Sequence, residues 1–464
     1  MHLVMIGGSD AGISAALRAR ELDPAADVTV VLEDAYPNFS ICGIPYYVSG
    51  EVTHWRNLAH RTHADLEAAG MRLRVDATAR RIDVPGRKLL VTTANGGEEL
   101  LGYDKLVIGT GAVPVRPPIT GLSGPDALGP ADGVHLLHSM GDTFAVMHTL
   151  EQAAPASAVI VGAGYIGLEM ADALTIRGLH VTQMEQLPEV LPTVDPGLGA
   201  LVHAELARHG VEVLTGTTVQ AISTAPPGGS GRLQVQAAAA DGTAVTRTAD
   251  MVLIVVGVRP ETALAADAGA TLGSKGAVAV DPMMRTGLPD IFAAGDCVIT
   301  HHRLLGETYL PLGTTAHKQG RVAGENALGG NRQFAGSLGT QVVKIFDQAA
   351  ARTGLRDREA AAGYDPVTTE TQADDHKAYY PGSHRITIRV TGDRTTGRLL
   401  GMQLFGHKNA EIAKRTDIAA TAIYHGMTVE AVSDLDLSYT PPLGSPWDAV
   451  QMAAQAWVRQ SRRL

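Results

Sequence analysis

Cys42 is the residue of this chain best placed to do chemistry. It follows Tyr36-Pro37-Asn38-Phe39-Ser40-Ile41 and opens Cys42-Gly43-Ile44-Pro45-Tyr46-Tyr47, with no second thiol in the residues that come next. A cysteine that begins a helix, with a proline in the following turn, stands at the positive end of the helix dipole. That position lowers a thiol pKa and makes the thiolate the nucleophile near neutral pH. Without a neighbouring cysteine, its reaction partner must be a bound cofactor, or a sulfur or oxygen on a substrate. The other cysteine, Cys297, follows Gly295-Asp296 and reads as a small packing residue.

Two glycine-rich turns are the elements that would position such a cofactor. Residues 3–6 read as a buried strand, Gly7-Gly8-Ser9-Asp10-Ala11-Gly12 as a turn, residues 13–22 as a helix, and residues 28–32 as a second strand ending at Glu33. The unit recurs as strand 158–161, Gly162-Ala163-Gly164-Tyr165-Ile166-Gly167, helix 168–176 and strand 180–184 ending at Glu185. The unpaired N–H groups and positive end of each helix suit a pyrophosphate, glycine allows close backbone approach, and the terminal acid accepts hydrogen bonds from a ribose diol. Two such units predict two dinucleotide sites. Ser9 replaces the middle glycine of the first turn and is small enough to permit approach. Glu185, followed by Gln186 rather than an arginine, repels a 2′-phosphate and favours NADH over NADPH, although Arg177 is a nearby base that would act the other way.

The bulk properties narrow the partners. A chain of 464 residues predicts two to four domains at ~100–200 residues each. With 38 Lys and Arg against 48 Asp and Glu, the formal charge is −10 and the acids are spread, which argues against nucleic-acid or anionic-membrane partners. Arg18 with Arg20, and Arg462 with Arg463, are small basic groups able to anchor one phosphate, though such runs are commonly solvated. Two cysteines make no disulfide framework, so a reducing, cytoplasmic setting is expected. The chain runs from Met1 and His2 directly into an apolar strand without a basic leader, and no apolar run reaches the ~18 residues of a membrane helix. No metal ligation is expected.

The expected fold class is α/β, with two Rossmann-like domains followed by an α+β tail. Residues 108–114 and the Pro- and Gly-rich stretch 116–133 read as a crossover, and residues 251–256 and 291–296 as further buried strands. Past Gly330, alternating strands at 341–346, 385–390 and 399–404 lead to helices at 410–425 and 447–458. The expected domains are 1–113 with 261–333, then 114–260, then 334–464. Trp447, Val450, Ala454, Trp457 and Val458 fall near one helical face and are expected to serve dimerisation.

With these turns, the glycine–aspartate corner and Cys-Gly-Ile-Pro-Tyr-Tyr, the chain resembles the single-cysteine flavoprotein disulfide reductases. That group includes coenzyme A disulfide reductase, NADH oxidase and NADH peroxidase. The resemblance also covers Gly257-Val258-Arg259-Pro260, Thr286 with residues 291–296, and Leu312-Gly313-Thr314-Thr315-Ala316-His317-Lys318-Gln319-Gly320-Arg321. It implies that Gly7, Gly8, Ser9, Gly12, Glu33, Thr110, Gly111 and Asp296 hold FAD. The helix that begins near Thr314, Thr315 and Ala316 would point its dipole at the flavin pyrimidine edge. Gly162, Gly164, Ile166, Gly167, Glu185 and Gly257 would hold NADH or NADPH, with Glu169 the acid near the nicotinamide.

The resemblance leaves three chemistries open to Cys42. It could form a mixed disulfide with an external disulfide, cycle to a sulfenate with peroxide, or assist transfer to oxygen. Asp10 occupies the position where the peroxidase and oxidase branch carries a histidine, which counts against a dedicated peroxidase. Tyr379 and Tyr439 match two tyrosines that in coenzyme A disulfide reductases reach the partner subunit's site, with Tyr380 the alternative to Tyr379. A phenol there would donate a proton to a departing thiolate. Ile41 stands where family members often carry asparagine, making the pocket more apolar, and Arg18 and Arg20 are weak candidates for substrate phosphates. The implied protein is a homodimer reducing a small-molecule disulfide, most like coenzyme A disulfide. The alternatives are an NADH oxidase, a peroxidase, a polysulfide or persulfide reductase, and a low-turnover NADH-sensing flavoprotein.

Overall fold

The structure is a computed structural model that describes residues 1–226 and 231–461. Arg462 and Arg463 lie outside the described residues. The chain divides into two compact units, one of residues 1–115, 137–144 and 257–337 and the other of residues 116–136, 145–256 and 338–464.

The first unit is built on a five-stranded parallel sheet in the order Ile291–Ala293, Lys105–Ile108, His2–Ile6, Asp27–Val31, Met71–Arg74. Leu3 pairs with Val28 on one side and Lys105 on the other. The central strand is buried on both faces, as its unbroken apolar run requires. Helices Asp10–Leu22 and Gly313–Ala327 cover one face and pack backbone against backbone. A Cβ on Gly320 would stand 2.3 Å from Ala11 O, and one on Gly324 2.2 Å from Ala15 O, so only small residues allow the approach. That packing brings two helix N-termini side by side.

The second unit repeats the motif with a parallel sheet in the order Glu212–Leu214, His180–Met184, Ser157–Val161, Met251–Ile254, Val134–Leu136. It also contains the C-terminal antiparallel sheet, ordered Gln341–Ile345, Gln348–Gly354, Leu399–His407, Arg385–Asp393, Pro366–Asp374. Helices Ile412–Tyr424 and Ala449–Ser461 follow the strands. The mixed α/β class matches the sequence expectation.

Three local expectations need correction. Cys42 does not begin an α-helix. It lies in a single 3-10 turn, Ile41–Gly43, and the helix Ile44–Ser49 starts after it with Pro45 in its first turn. The apolar stripe of the last helix is spent within the chain: Val450, Ala454 and Trp457 are buried, and Trp457 Nε1 donates to Val367 O at 2.8 Å, while Trp447 precedes the helix and is exposed. Arg18 and Arg20 are engaged internally. Arg18 donates to Glu325 and pairs with Glu21, and Arg20 donates to Ala69 O and Ala26 O, so a phosphate would have to compete with these partners. Among the described residues, no helix is long and apolar enough to cross a membrane.

Candidate active site

In the first unit the structure brings the cysteine turn to the glycine turn. Asn38 N donates to Gly8 O at 2.7 Å, and His60 N donates to Asn38 O at 2.9 Å, so the segment leading to Cys42 is laced to the first turn. An aromatic cluster stiffens the same segment. Tyr36 packs edge-on against Phe39, Trp55 and Phe144 at 5.3–5.8 Å, and Arg56 lies 4.4 Å over the Trp55 ring. Cys42 itself is exposed, whereas Cys297 is fully buried with its Sγ 3.4 Å from Ala294 O, and burial pushes its thiol pKa up.

The cradle is shaped by close approach. A Cβ on Gly12 would meet Gly7 O at 2.0 Å, while one on Gly111 would meet nothing, leaving room beside Thr110, whose hydroxyl donates to Glu261 O at 2.5 Å. Gly257 O accepts from Val115 N in the same unit. Ser9 and Glu33 are exposed at the turn. Asp296 is pushed up to about 6, first by burial and then by the charge of Asp10. A partly buried carboxyl of this kind, which also accepts from the Leu312 backbone, can still bond a hydroxyl such as a ribityl chain would supply. Thr314 is exposed at the N-terminal turn of helix Gly313–Ala327, while Thr315 and Ala316 turn inward with their amides bonded to Leu312 O. These residues fit a flavin dinucleotide.

In the second unit, a Cβ on Gly167 would stand 2.2 Å from Gly162 O, whereas one on Gly164 would touch nothing. Open space at that glycine is what a nucleotide backbone needs. Glu185 accepts from Ala163 N at 2.8 Å and Leu187 N at 2.9 Å. Tyr165, Ile166 and Glu169 lie on helix Tyr165–Ile176, and burial pushes the Tyr165 phenol up to about 12. Beneath it, Arg352 donates to Thr193 O at 2.6 Å and Arg356 to Pro192 O at 2.6 Å, a clamp that the sequence did not reveal. Tyr379 and Tyr439, 74% and 46% exposed, sit on neighbouring loops joined by Lys377 N to Pro441 O at 3.3 Å.

Sequence reasoning missed a second group. Asp10, marked only for not being a histidine, pairs with His317 at 3.3 Å, and His317 Nδ1 meets Ser14 Oγ at 2.8 Å. The histidine stood in a recognised motif, but nothing in the sequence connects two helices so far apart in the chain.

Residues 1–320 match the family model described as pyridine nucleotide-disulphide oxidoreductase, and residues 340–449 match its dimerisation domain. The chain belongs to this FAD-dependent, pyridine-nucleotide-using family of oxidoreductases. It is 33% identical to an NAD(P)H sulfur oxidoreductase (CoA-dependent) of Pyrococcus furiosus, over 98% of each chain. It is 31% identical to an NADH oxidase of Methanocaldococcus jannaschii, again over 98% of each. Among solved structures, an NAD-dependent persulfide reductase from A. fulgidus superposes with a TM-score of 0.91 at 36% identity, covering 100% of this chain and 84% of that one. Another relative, 27% identical, is a coenzyme A disulfide reductase of Staphylococcus haemolyticus.

Proposed function

We propose that the protein is a homodimeric, cytoplasmic FAD-dependent NAD(P)H:disulfide oxidoreductase whose substrate is a low-molecular-weight disulfide, with coenzyme A disulfide the first choice. The observation that carries the reading is the single exposed thiol, Cys42, on a turn laced to the first glycine turn, with the other cysteine fully buried. Bound FAD would pass the electron pair of NAD(P)H to sulfur. Cys42 Sγ attacks one sulfur of the disulfide, forming a mixed disulfide and releasing one thiolate. Two electrons and a proton then cleave that mixed disulfide, restoring the Cys42 thiolate and releasing the second thiol. The sum is one disulfide, one NAD(P)H and one proton giving two thiols and NAD(P)+.

Residues 1–113 with 261–333 would hold FAD, 114–260 the pyridine nucleotide, and 334–464 would form the dimer. Tyr439 and Tyr379, exposed on paired loops, would donate protons to thiolates leaving a partner chain's Cys42. NADH is favoured by Glu185, whose carboxylate is fixed by two amides at the second turn. Persulfide reduction is the second reading, supported by the names of the relatives, and it would use the same Cys42 thiolate on a sulfane sulfur.

Anaerobic NADH consumption with coenzyme A disulfide, glutathione disulfide, peroxide and polysulfide tests the choice. Coenzyme A disulfide is expected to give the highest kcat/KM, and Cys42→Ser to lose roughly 1,000-fold or more with it. Faster polysulfide turnover would move the assignment to the second reading. An insensitive Cys42→Ser variant would remove thiol chemistry altogether.

A further inference from the structure

Helices Asp10–Leu22 and Gly313–Ala327 meet at their N-termini, and one carboxylate lies between them. Asp10 Oδ1 is 3.3 Å from His317 Nε2, and Oδ2 lies where a Cβ on Gly313 would stand 2.8 Å away. The imidazole is oriented from its other side by Ser14 Oγ at 2.8 Å. Ser14 is buried in its helix, so it acts as a positioning residue. The ionisable groups facing Asp10 are His317 from the later helix, His60 from the loop tied to the cysteine turn, and Asp296 from the glycine–aspartate corner. Lys318 turns back to Thr314 O and Arg321 pairs with Glu21, so neither basic side chain neutralises the carboxylate.

We propose that Asp10 and His317 form a proton-holding dyad beside the flavin site, taking up one proton when reduction adds negative charge there and giving it up when the electrons leave. The geometry is that of a relay. A carboxylate and an imidazole share one proton, a hydroxyl fixes the ring, and two helix N-termini favour the anionic carboxylate until charge arrives nearby. Burial holds the Asp10 carboxyl above the ordinary aspartate value, against the opposing charges of His317 and His60, which keeps the group ready to accept a proton. NAD(P)H supplies a hydride and water supplies one proton, stored at Asp10 Oδ1 or His317 Nε2. The hydride's electron pair and proton, together with the stored proton, convert one disulfide into two thiols. The second half of this cycle rests on the disulfide reading above, while proton uptake on reduction does not.

The test is the pH dependence of the flavin midpoint potential in the holoenzyme, in a Cys42→Ser background so that the thiol takes no electrons. Between about pH 5 and 8, where imidazoles titrate, the background protein is expected to show a range with one more proton per two electrons than Asp10→Asn or His317→Gln. That is a slope steeper by about 30 mV per pH unit. Asp10→Glu, which keeps a carboxylate, is expected to retain the steep range. A pair with a purely structural role would leave the slope unchanged in every variant, and that result would overturn the proposal. If Asp10→Asn fails to retain flavin, His317→Gln decides, since the ring it replaces is half exposed. No disulfide enters the measurement, so an absence of coenzyme A disulfide turnover would sink the substrate assignment and leave these slopes standing.

Discussion

The carboxylate that ends the second strand of the first nucleotide fold, Glu33, is exposed, whereas its counterpart Glu185 is 6% exposed and already bonded to two backbone amides. The contrast extends beyond these acids. Around the first turn, Asp10 and Asp296 are carboxyls held above their ordinary pKa by burial in spite of the partners they have in the chain, a cost that a bound ligand would offset. Around the second turn, the acid is satisfied by the protein, and arginines from the C-terminal sheet fix the loop beneath Tyr165. A turn completed by its own chain is formed before its ligand arrives, which suits a cosubstrate that exchanges at each turnover. A turn left with polar groups to satisfy gains more from a ligand that stays, because binding the folded state is itself stabilisation.

The largest expected effect separates the closed last glycine of the first turn from the open middle glycine of the second, Gly167 being closed in the same way as Gly12. Gly12→Ala places a methyl group 2.0 Å from Gly7 O, a clash that only backbone movement relieves, and flavin retention is expected to fall to near zero. Gly164→Ala meets no protein atom and is expected to leave flavin content and melting temperature unchanged. Its methyl would meet only the nucleotide, raising KM for NADH about tenfold, which corresponds to about 1.4 kcal/mol. Flavin absorbance and steady-state kinetics check both. Equal loss of flavin in the two variants would erase the distinction.

Both turns were legible in the sequence because each is a local pattern in which strand, glycines, helix and acid lie within some thirty residues. The start of the helix after Cys42 was misplaced because Gly43 and Pro45 delay the regular helix, and a one-turn shift leaves no periodic trace. Of the apolar stripe of the last helix, Val450, Ala454 and Trp457 are buried within the chain and Trp447 and Val458 are not, since periodicity shows that a face is buried without saying against what. The Asp10–His317 pair and the clamp of Arg352 and Arg356 were invisible for a different reason. Each joins residues brought together only by long-range packing, the first by the small residues at which two helices touch.

Acid pH sharpens the same contrast, because the most strongly shifted carboxyl of each unit moves in the opposite direction. Asp296 is raised to about 6, so its contribution to stability is complete below the ordinary aspartate value of about 3.9 and is lost as pH rises through about 6. Burial also pushes Glu359 upward, but bonds from Arg356 and Arg352 outweigh it and bring the group down to about 2. Its contribution is present above the ordinary glutamate value of about 4.3 and is lost as pH falls toward about 2. Between about pH 6 and 4.5, the flavin-free protein is therefore expected to gain stability in the first unit and to keep it in the second. The gain over this window is at most about 2 kcal/mol. Hydrogen exchange resolved by segment measures it, and Asp296→Asn is expected to remove the larger part of the gain, leaving the share of Asp10, whose carboxyl burial also raises. An undiminished gain in this variant would assign it to other groups.

The smallest effect returns to the two acids. Glu33→Ala removes an exposed side chain, so the melting temperature of the flavin-free protein should not move, surface changes of this kind being worth within about 0.5 kcal/mol. The loss should appear only as weaker FAD binding. Glu185→Ala strands the amides of Ala163 and Leu187, the first of them in a fully buried residue, and is expected to cost the second unit roughly 1–2 kcal/mol before any nucleotide is added. Calorimetry of the flavin-free proteins, followed by titration with FAD and NADH, reads both terms. If Glu33→Ala destabilised the free protein and Glu185→Ala did not, the inequality between the turns would be reversed. The second turn would then be the one that depends on its ligand for completion.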